Sequence, residues 1–116
     1  MFWAFPNIDP IADFVRAITG WDVPDEELLK TGERIANLRQ AFNIREGLNP
    51  VKFKVPDRVL GKPPLKEGPA AGVTVDEDTM IKEYLTAMDW DLETAKPSKK
   101  KLLELGLADV AQQLWP

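Results

Sequence analysis

The stretch GWDVPDEELLKTGERIANLRQAFNIREG, Gly20 to Gly47, decides how this 116-residue chain is read. Leu28, Ile35, Leu38 and Phe42 recur at helical spacing and form one apolar stripe, so the stretch predicts a long amphipathic helix that needs a partner surface. Gly32 falls on that stripe. A glycine inside a helix costs about 1 kcal/mol against alanine, and close approach by a neighbouring backbone is the expected compensation. Pro24 suits a first helical turn, and Asp25, Glu26 and Glu27 place negative charge at the positive end of the helix dipole. With proline just before the acidic turn, the cap is expected from Asp22 or from water. The polar face runs through Lys30 and Arg34, and Asn43, Arg45 and Gly47 lead the chain out. Nothing in the stretch carries chemistry of its own.

Outward from this helix, the rest of the chain reads as helices around one long irregular segment. Asp9 is placed to cap a helix over Pro10–Thr19, with Ile11, Phe14, Val15 and Ile18 on one face and Gly20 as its stop. The short turn that follows predicts an antiparallel pair with the long helix. From Leu48 to Val75 the prolines and glycines deny regular structure apart from one turn near Asp57–Leu60. Irregular stretches of this length usually serve a surface or a function. Val51, Phe53, Val55, Val59 and Leu60 supply apolar anchors, so the segment reads as an extended strap wrapped on a larger body. Asp76 then caps a helix over Glu77–Met88, with Met80 or Ile81, Tyr84, Leu85 and Met88 inward. Ser98 caps another that ends at Leu105, with Gly106 in the left-handed stop position, and a last short helix covers Ala108–Leu114. Trp21 and Trp90, each between glycine or aspartate and aspartate, read as anchors beyond helix ends. The expected fold class is all-α, a multihelical orthogonal array of about five helices with the strap in the middle, and residues 1–116 make one domain or part of one.

Charge and composition narrow the function. The net charge is −4, from 15 basic and 19 acidic residues interspersed along the chain, which lacks the clustered Lys and Arg of a nucleic-acid footprint. There is no cysteine and no histidine, so neither disulfides nor thiolate or imidazole sites can form, and the chain fits a reducing cytoplasm. The opening MFWAFP is apolar but short, broken by Pro6 and without a basic flank, which argues against a signal peptide or a membrane span. Phe2, Trp3 and Phe5 read as a segment from the interior of a larger protein, or as aromatics folded back on this chain's own core. The two readings are compatible.

Candidate chemistry is sparse. Asp76, Glu77 and Asp78 lack the alternating ligands and following glycine of a calcium loop and read as a capped acidic first turn. Asp22 with Asp25, or Glu26 with Glu27, would need burial to separate their pKa values as an acid–base pair, and they sit at a helix start. Lys99, Lys100 and Lys101 read as a solvated face. The methionine and aromatic stripes read as core. Arg45 is the charged residue of most interest, placed just beyond the long helix, where a structural ion pair or carbonyl clamp is expected.

The order Gly20-Trp21-Asp22, an acidic helix start, Leu28-Leu29-Lys30-x-Gly32-Glu33-Arg34-Ile35, Asn37-Leu38 and Phe42-Asn43-x-Arg45-Glu46-Gly47 resembles the C-terminal helical domain of tungsten-containing aldehyde:ferredoxin oxidoreductases. The resemblance continues through Val55-Pro56-Asp57-Arg58 and Pro64-Leu65-x-Glu67-Gly68-Pro69-Ala70-x-Gly72. It then passes through Val75-Asp76, Met80, Glu83-Tyr84, Trp90-Asp91 and Lys101 to Leu107, nearly the whole chain in order. It departs at Pro24, where family members carry a capping Ser or Thr before proline, and at Lys99–Lys101, where they tend to carry Pro-Glu.

The resemblance implies a larger enzyme in which this chain is a structural part. Such enzymes oxidise aldehydes to carboxylates with a tungsten bis-pterin cofactor beside a four-iron four-sulfur cluster, and they pass electrons to ferredoxin. Their cluster ligands are a Cys-x-x-Cys-x-x-x-Cys group and a cysteine in an Asp-x-x-Gly-x-Cys step. This chain is expected to follow directly on that last step, which would make Phe2, Trp3 and Phe5 the residues lining or supporting the enzyme interior. No cofactor or metal ligand carries over onto any residue here, and the expected partners are the remaining domains of the enzyme. The alternative is a freestanding helical interaction module without redox activity, exposing an apolar groove to a protein partner.

Overall fold

Local chemistry sets most of the helix boundaries in the computed structural model of the chain, which describes residues 9–116. Five helices follow one another: α1 (Asp9–Thr19), α2 (Asp25–Arg45), α3 (Glu77–Ala87), α4 (Lys99–Glu104) and α5 (Ala108–Leu114), with a 3-10 turn at Pro50–Lys52. The described residues contain no strand, only two isolated bridges, Leu65 with Ala71 and Trp90 with Pro97. The all-α expectation with about five helices holds. Among the described residues no helix is long and apolar enough to cross a membrane.

The predicted caps are in place at α3 and α4. Asp76 accepts from the Thr79 N–H at 3.2 Å and the Thr79 hydroxyl at 2.7 Å, and Ser98 accepts from the Lys101 N–H at 3.0 Å. Gly106 stops α4 with φ +75°, a backbone region where a β-carbon is costly. At the end of α2 the Leu48 N–H reaches back to the Asn43 carbonyl at 2.9 Å past Gly47 at φ +82°. Of the two caps expected for α2, Asp22 is not used: no side chain caps the helix, and Pro24 holds the cap position. Arg16 instead ties the α1–α2 turn, donating to the Val23 carbonyl at 2.8 Å and to Asp25 at 3.0 Å.

A small core lies where α2, α4 and α5 meet. Ala41, Leu102, Ala111 and Leu114 are buried there, with Ile44, Leu107, Val110 and Trp115 packed around them. Against this core sits the loop 89–98, held in a bent form by two non-glycine residues in the left-handed region, Asp89 at φ 55° and Ala95 at φ 56°. Asp91 stabilises the bend by accepting from the Thr94 hydroxyl at 2.6 Å and from the backbone N–H groups of Thr94 and Glu93. Trp115 closes over the same loop, donating from Nε1 to the Pro97 carbonyl at 3.0 Å while the Lys96 ammonium sits 3.6 Å from its ring centre.

The strap, residues 48–75, runs without regular structure apart from turns. Leu60 is buried and Val51 half-buried, but Phe53, Val55 and Val59 are exposed, so most of the expected anchors are left largely uncovered by this chain. The chain is correspondingly open. Its radius of gyration is 18.4 Å, whereas a compact chain of this length has about 13 Å. It measures 53 × 41 × 20 Å, a flat body. Its accessible surface is 9053 Å², against roughly 6,400 Å² for a compact monomer of this mass.

Candidate functional site

The side of α2 that faces this chain's own core is its polar side. Asn37 and Gln40 are buried with Ala41, while Ile35, Leu38 and Phe42 of the apolar stripe are 61%, 47% and 53% exposed. The partner surface expected for the stripe is therefore not supplied by this chain's own core. The helix packs inward through hydrogen bonds and through Ala41 and Ile44, and turns the Ile35, Leu38 and Phe42 stripe outward. The expected compensation for Gly32 is missing as well, since nothing within 4 Å would meet a β-carbon there.

Four polar residues along the inner face each hold a different part of the C-terminal half. Arg34 donates from Nε to the Leu105 carbonyl at 2.9 Å, satisfying one of the open carbonyls at the end of α4. Glu33 binds Lys101 at 2.8 Å, and that bond raises the Lys101 pKa above its ordinary value. Asn37 donates to the Glu33 carbonyl at 2.9 Å and accepts from the Trp90 indole N–H at 2.8 Å. Gln40 donates to the Ala95 carbonyl at 2.9 Å. No buried side-chain nitrogen or oxygen among the described residues is left without a partner. This satisfied network fixes the bent loop and α4 against α2, and so fixes how the outer stripe is presented.

The outer face is a groove. Ile35, Leu38 and Phe42 from α2 and Val110 and Leu114 from α5 line a cavity of about 470 Å³ with Ala41 in its floor and Arg39 and Arg45 at its edge. A second apolar hollow of about 400 Å³ lies between α3 and the turn at Pro50, lined by Met80 and by Tyr84 and Trp90, whose rings meet edge to face at 5.8 Å. Of the two residues offered for the inner face of α3, Ile81 is half-buried and Met80 exposed; Tyr84, expected inward, faces an opening, and only Leu85 of that helix is buried. On α1, Ile11, Phe14 and Ile18 are exposed too. Large apolar side chains are thus left uncovered on α1, α2 and α3 alike, and exposed apolar surface of this kind marks interaction sites. What the arrangement offers chemically is docking.

The sequence-derived site residues fall as follows. Phe2, Trp3 and Phe5 lie outside the described residues. Arg45 is exposed, donates to the adjacent Glu46 at 3.1 Å and lies 5.1 Å from the centre of the Phe42 ring. Trp21 is 66% exposed, whereas Trp90 is half-buried and held by Asn37, so the two similar tripeptides have different fates. Asp25 is bound to Arg16, and Asp76 is engaged as a cap. Lys99 reaches the Trp115 carbonyl at 3.2 Å and Lys101 reaches Glu33, so one of the three lysines read as a solvated face is an internal clamp. The residues that sequence reasoning missed are Asn37 and Gln40. Their signal was two amides one turn apart on the face opposite the apolar stripe, flanked by Glu33 and Arg34.

Comparison with known proteins bears on what the docking face belongs to. A family profile described as aldehyde ferredoxin oxidoreductase, domains 2 & 3, matches residues 2–107. The chain belongs to the aldehyde ferredoxin oxidoreductase family. Relatives include the tungsten-containing aldehyde ferredoxin oxidoreductase of Pyrococcus furiosus, 40% identical over 102 residues, which are 87% of this chain and 16% of that protein. The enzymes of the same name from Pyrococcus abyssi and Thermococcus kodakarensis are each 37% identical, with the same coverage. The chain thus spans about one sixth of the length of these curated aldehyde ferredoxin oxidoreductases. No solved structure gives a significant match.

The donor set can be tested against the metal groups that the family resemblance implies. An iron–sulfur cluster is held by cysteine thiolates, with histidine as the occasional substitute, and this chain has neither residue. Among the described residues no three acidic side chains gather into a group that could hold a metal ion. This chain therefore supplies neither thiolate nor imidazole ligands for a cluster.

Proposed function

We propose that the chain is a C-terminal helical part of an aldehyde ferredoxin oxidoreductase-like enzyme, with residues 1–116 forming one helical domain or part of one. Its role is structural. The satisfied polar network inside presents an apolar outer face, and that face covers and is covered by the remaining domains. The whole enzyme oxidises an aldehyde with water to a carboxylate and passes the electrons to ferredoxin in the cytoplasm. The tungsten bis-pterin and the four-iron four-sulfur cluster carry that redox chemistry and are held by parts of the enzyme other than this chain.

The observation that carries this reading is the conjunction of the family match with an α2 whose hydrophobic stripe faces away from the chain's own core. A helix built for burial, in a family whose members are several times longer, calls for a body on its outer side. Purification of the native gene product tests the reading through its mass and metal content. A product several times heavier than this chain and containing tungsten and iron supports it. A metal-free product of this chain's mass refutes it and marks a freestanding helical interaction module.

A further inference from the structure

Resting on that reading, we propose that the groove between α2 and α5 seats a two-turn amphipathic helix from the remaining part of the oxidoreductase polypeptide. That helix presents apolar residues at i, i+3 or i+4 and i+7, flanked by carboxylates. The stretch from Ile35 to Phe42 advances about 10 Å along α2, two helical turns. Both walls of the groove are helices whose backbone groups are bonded within themselves, so no free strand edge invites an added strand. The fitting mode is helix-in-groove, with side chains spaced to follow Ile35, Leu38 and Phe42.

The charge at the rim specifies the occupant further. Arg39 and Arg45 border the groove, and no acidic residue lines it. Arg45 is paired with Glu46, while Arg39 has no ion pair among the described residues. A guanidinium beside an apolar groove is best met by a carboxylate, which it binds in a two-pronged geometry. A second copy of this chain meets the groove badly. A groove-on-groove pairing about a two-fold axis would bring Arg39 and Arg45 of both copies together, four guanidinium groups against two Glu46 carboxylates already paired with Arg45. The available surface fits a permanent partner. The excess over a compact monomer, roughly 2,700 Å² by the scaling used above, exceeds what one side of a standard interface buries.

A photo-crosslinking benzoylphenylalanine placed at Leu38 or at Phe42, with Glu83 on α3 as a control position, tests the assignment in the native gene product expressed in its own cells. Digestion and mass spectrometry identify the adducts. The expected adduct at both positions joins a peptide of the oxidoreductase polypeptide outside residues 1–116, with Asp or Glu within one helical turn of aliphatic residues. The paired substitution Arg39→Glu and Arg45→Glu lowers the yield at Leu38 by about tenfold and leaves the Glu83 control unchanged. Both arginines lie outside the buried core, and far-UV circular dichroism of the variant checks that its helices persist. Replacing the identified acid by arginine on top of that paired substitution restores the adduct. Adducts confined to residues 1–116, whether from Met1–Ile8 or a second copy, overturn the proposal, as do adducts with an unrelated protein or none. A product that contains tungsten and iron but gives no such adduct overturns the groove assignment alone. A short, metal-free product overturns the functional reading with it.

Discussion

Replacing Asn37 by alanine removes the one side chain that joins α2 to the bent loop through Trp90. The amide accepts from the Trp90 indole N–H at 2.8 Å across 53 residues of sequence and is itself fully buried. A hydrogen bond of this kind contributes about 1 kcal/mol net, and leaving its donor without a partner adds about 1 kcal/mol more at the low end of the usual range. The low end applies because Trp90 is only half-buried and water can reach part of it. The other bond of Asn37, to the Glu33 carbonyl, is spare, since that carbonyl also has its helical partner. Alanine returns roughly 0.5 kcal/mol through its better helix propensity. The net expectation for Asn37→Ala is a loss of about 1.5 kcal/mol. Trp90→Phe removes the same bond from the other side, and the double variant measures the coupling, expected near 1 kcal/mol. Urea melts of the full chain followed by far-UV circular dichroism read all three variants without relying on tryptophan fluorescence. Strict additivity, with a coupling within about 0.3 kcal/mol of zero, would refute the view that Asn37 holds the loop.

Three further outcomes follow from the same structure. The Thr94 hydroxyl and N–H hold the Asp91 carboxyl below the usual carboxylate range, and Thr79 does the same for Asp76. Both contributions are complete above the unfolded value of about 4 and are lost as pH falls through the folded value; Asp91→Asn therefore flattens the decline of the urea midpoint below about pH 4. Ser98→Ala removes the cap of α4 and lowers stability by about 1 kcal/mol, read as a drop in the same midpoint. Gly32→Ala stabilises the chain alone by about 0.5–1 kcal/mol, because nothing opposes a β-carbon there. In the assembled enzyme the same substitution loses that gain if a neighbouring backbone approaches Gly32, and a thermal melt of each form distinguishes the two cases.

Most helix boundaries were legible because their causes are local. Asp76, Ser98, Gly106 and Gly47 act on backbone groups within a few residues, and each does in the structure what its position predicts. The facing of α2 was not legible, and the reason is physical rather than a matter of pattern strength. Periodicity shows that Ile35, Leu38 and Phe42 share a side and that the side needs cover, but it carries no information on whether the cover comes from the same chain. The usual assumption that the apolar side points to the nearest core fails here because that core is built from the small Ala41 and from α4 and α5, and is reached past buried amides. Met80 and Tyr84 were misread for the same reason, as large side chains on a periodic face that this chain leaves more than half exposed. The polar inner face has its own logic. A loop such as 89–98 exposes carbonyls and an indole N–H that no apolar helix could satisfy, so the helix bracing it must offer amides and charges on that side. With the inner side of α2 committed to Arg34, Asn37 and Gln40 beside Ala41 and Ile44, the stripe of Ile35, Leu38 and Phe42 is left on the outer side. The two faces are thus a single adaptation: the polar contacts fix the helix to its own chain in one orientation, and that orientation aims the apolar stripe at whatever covers it.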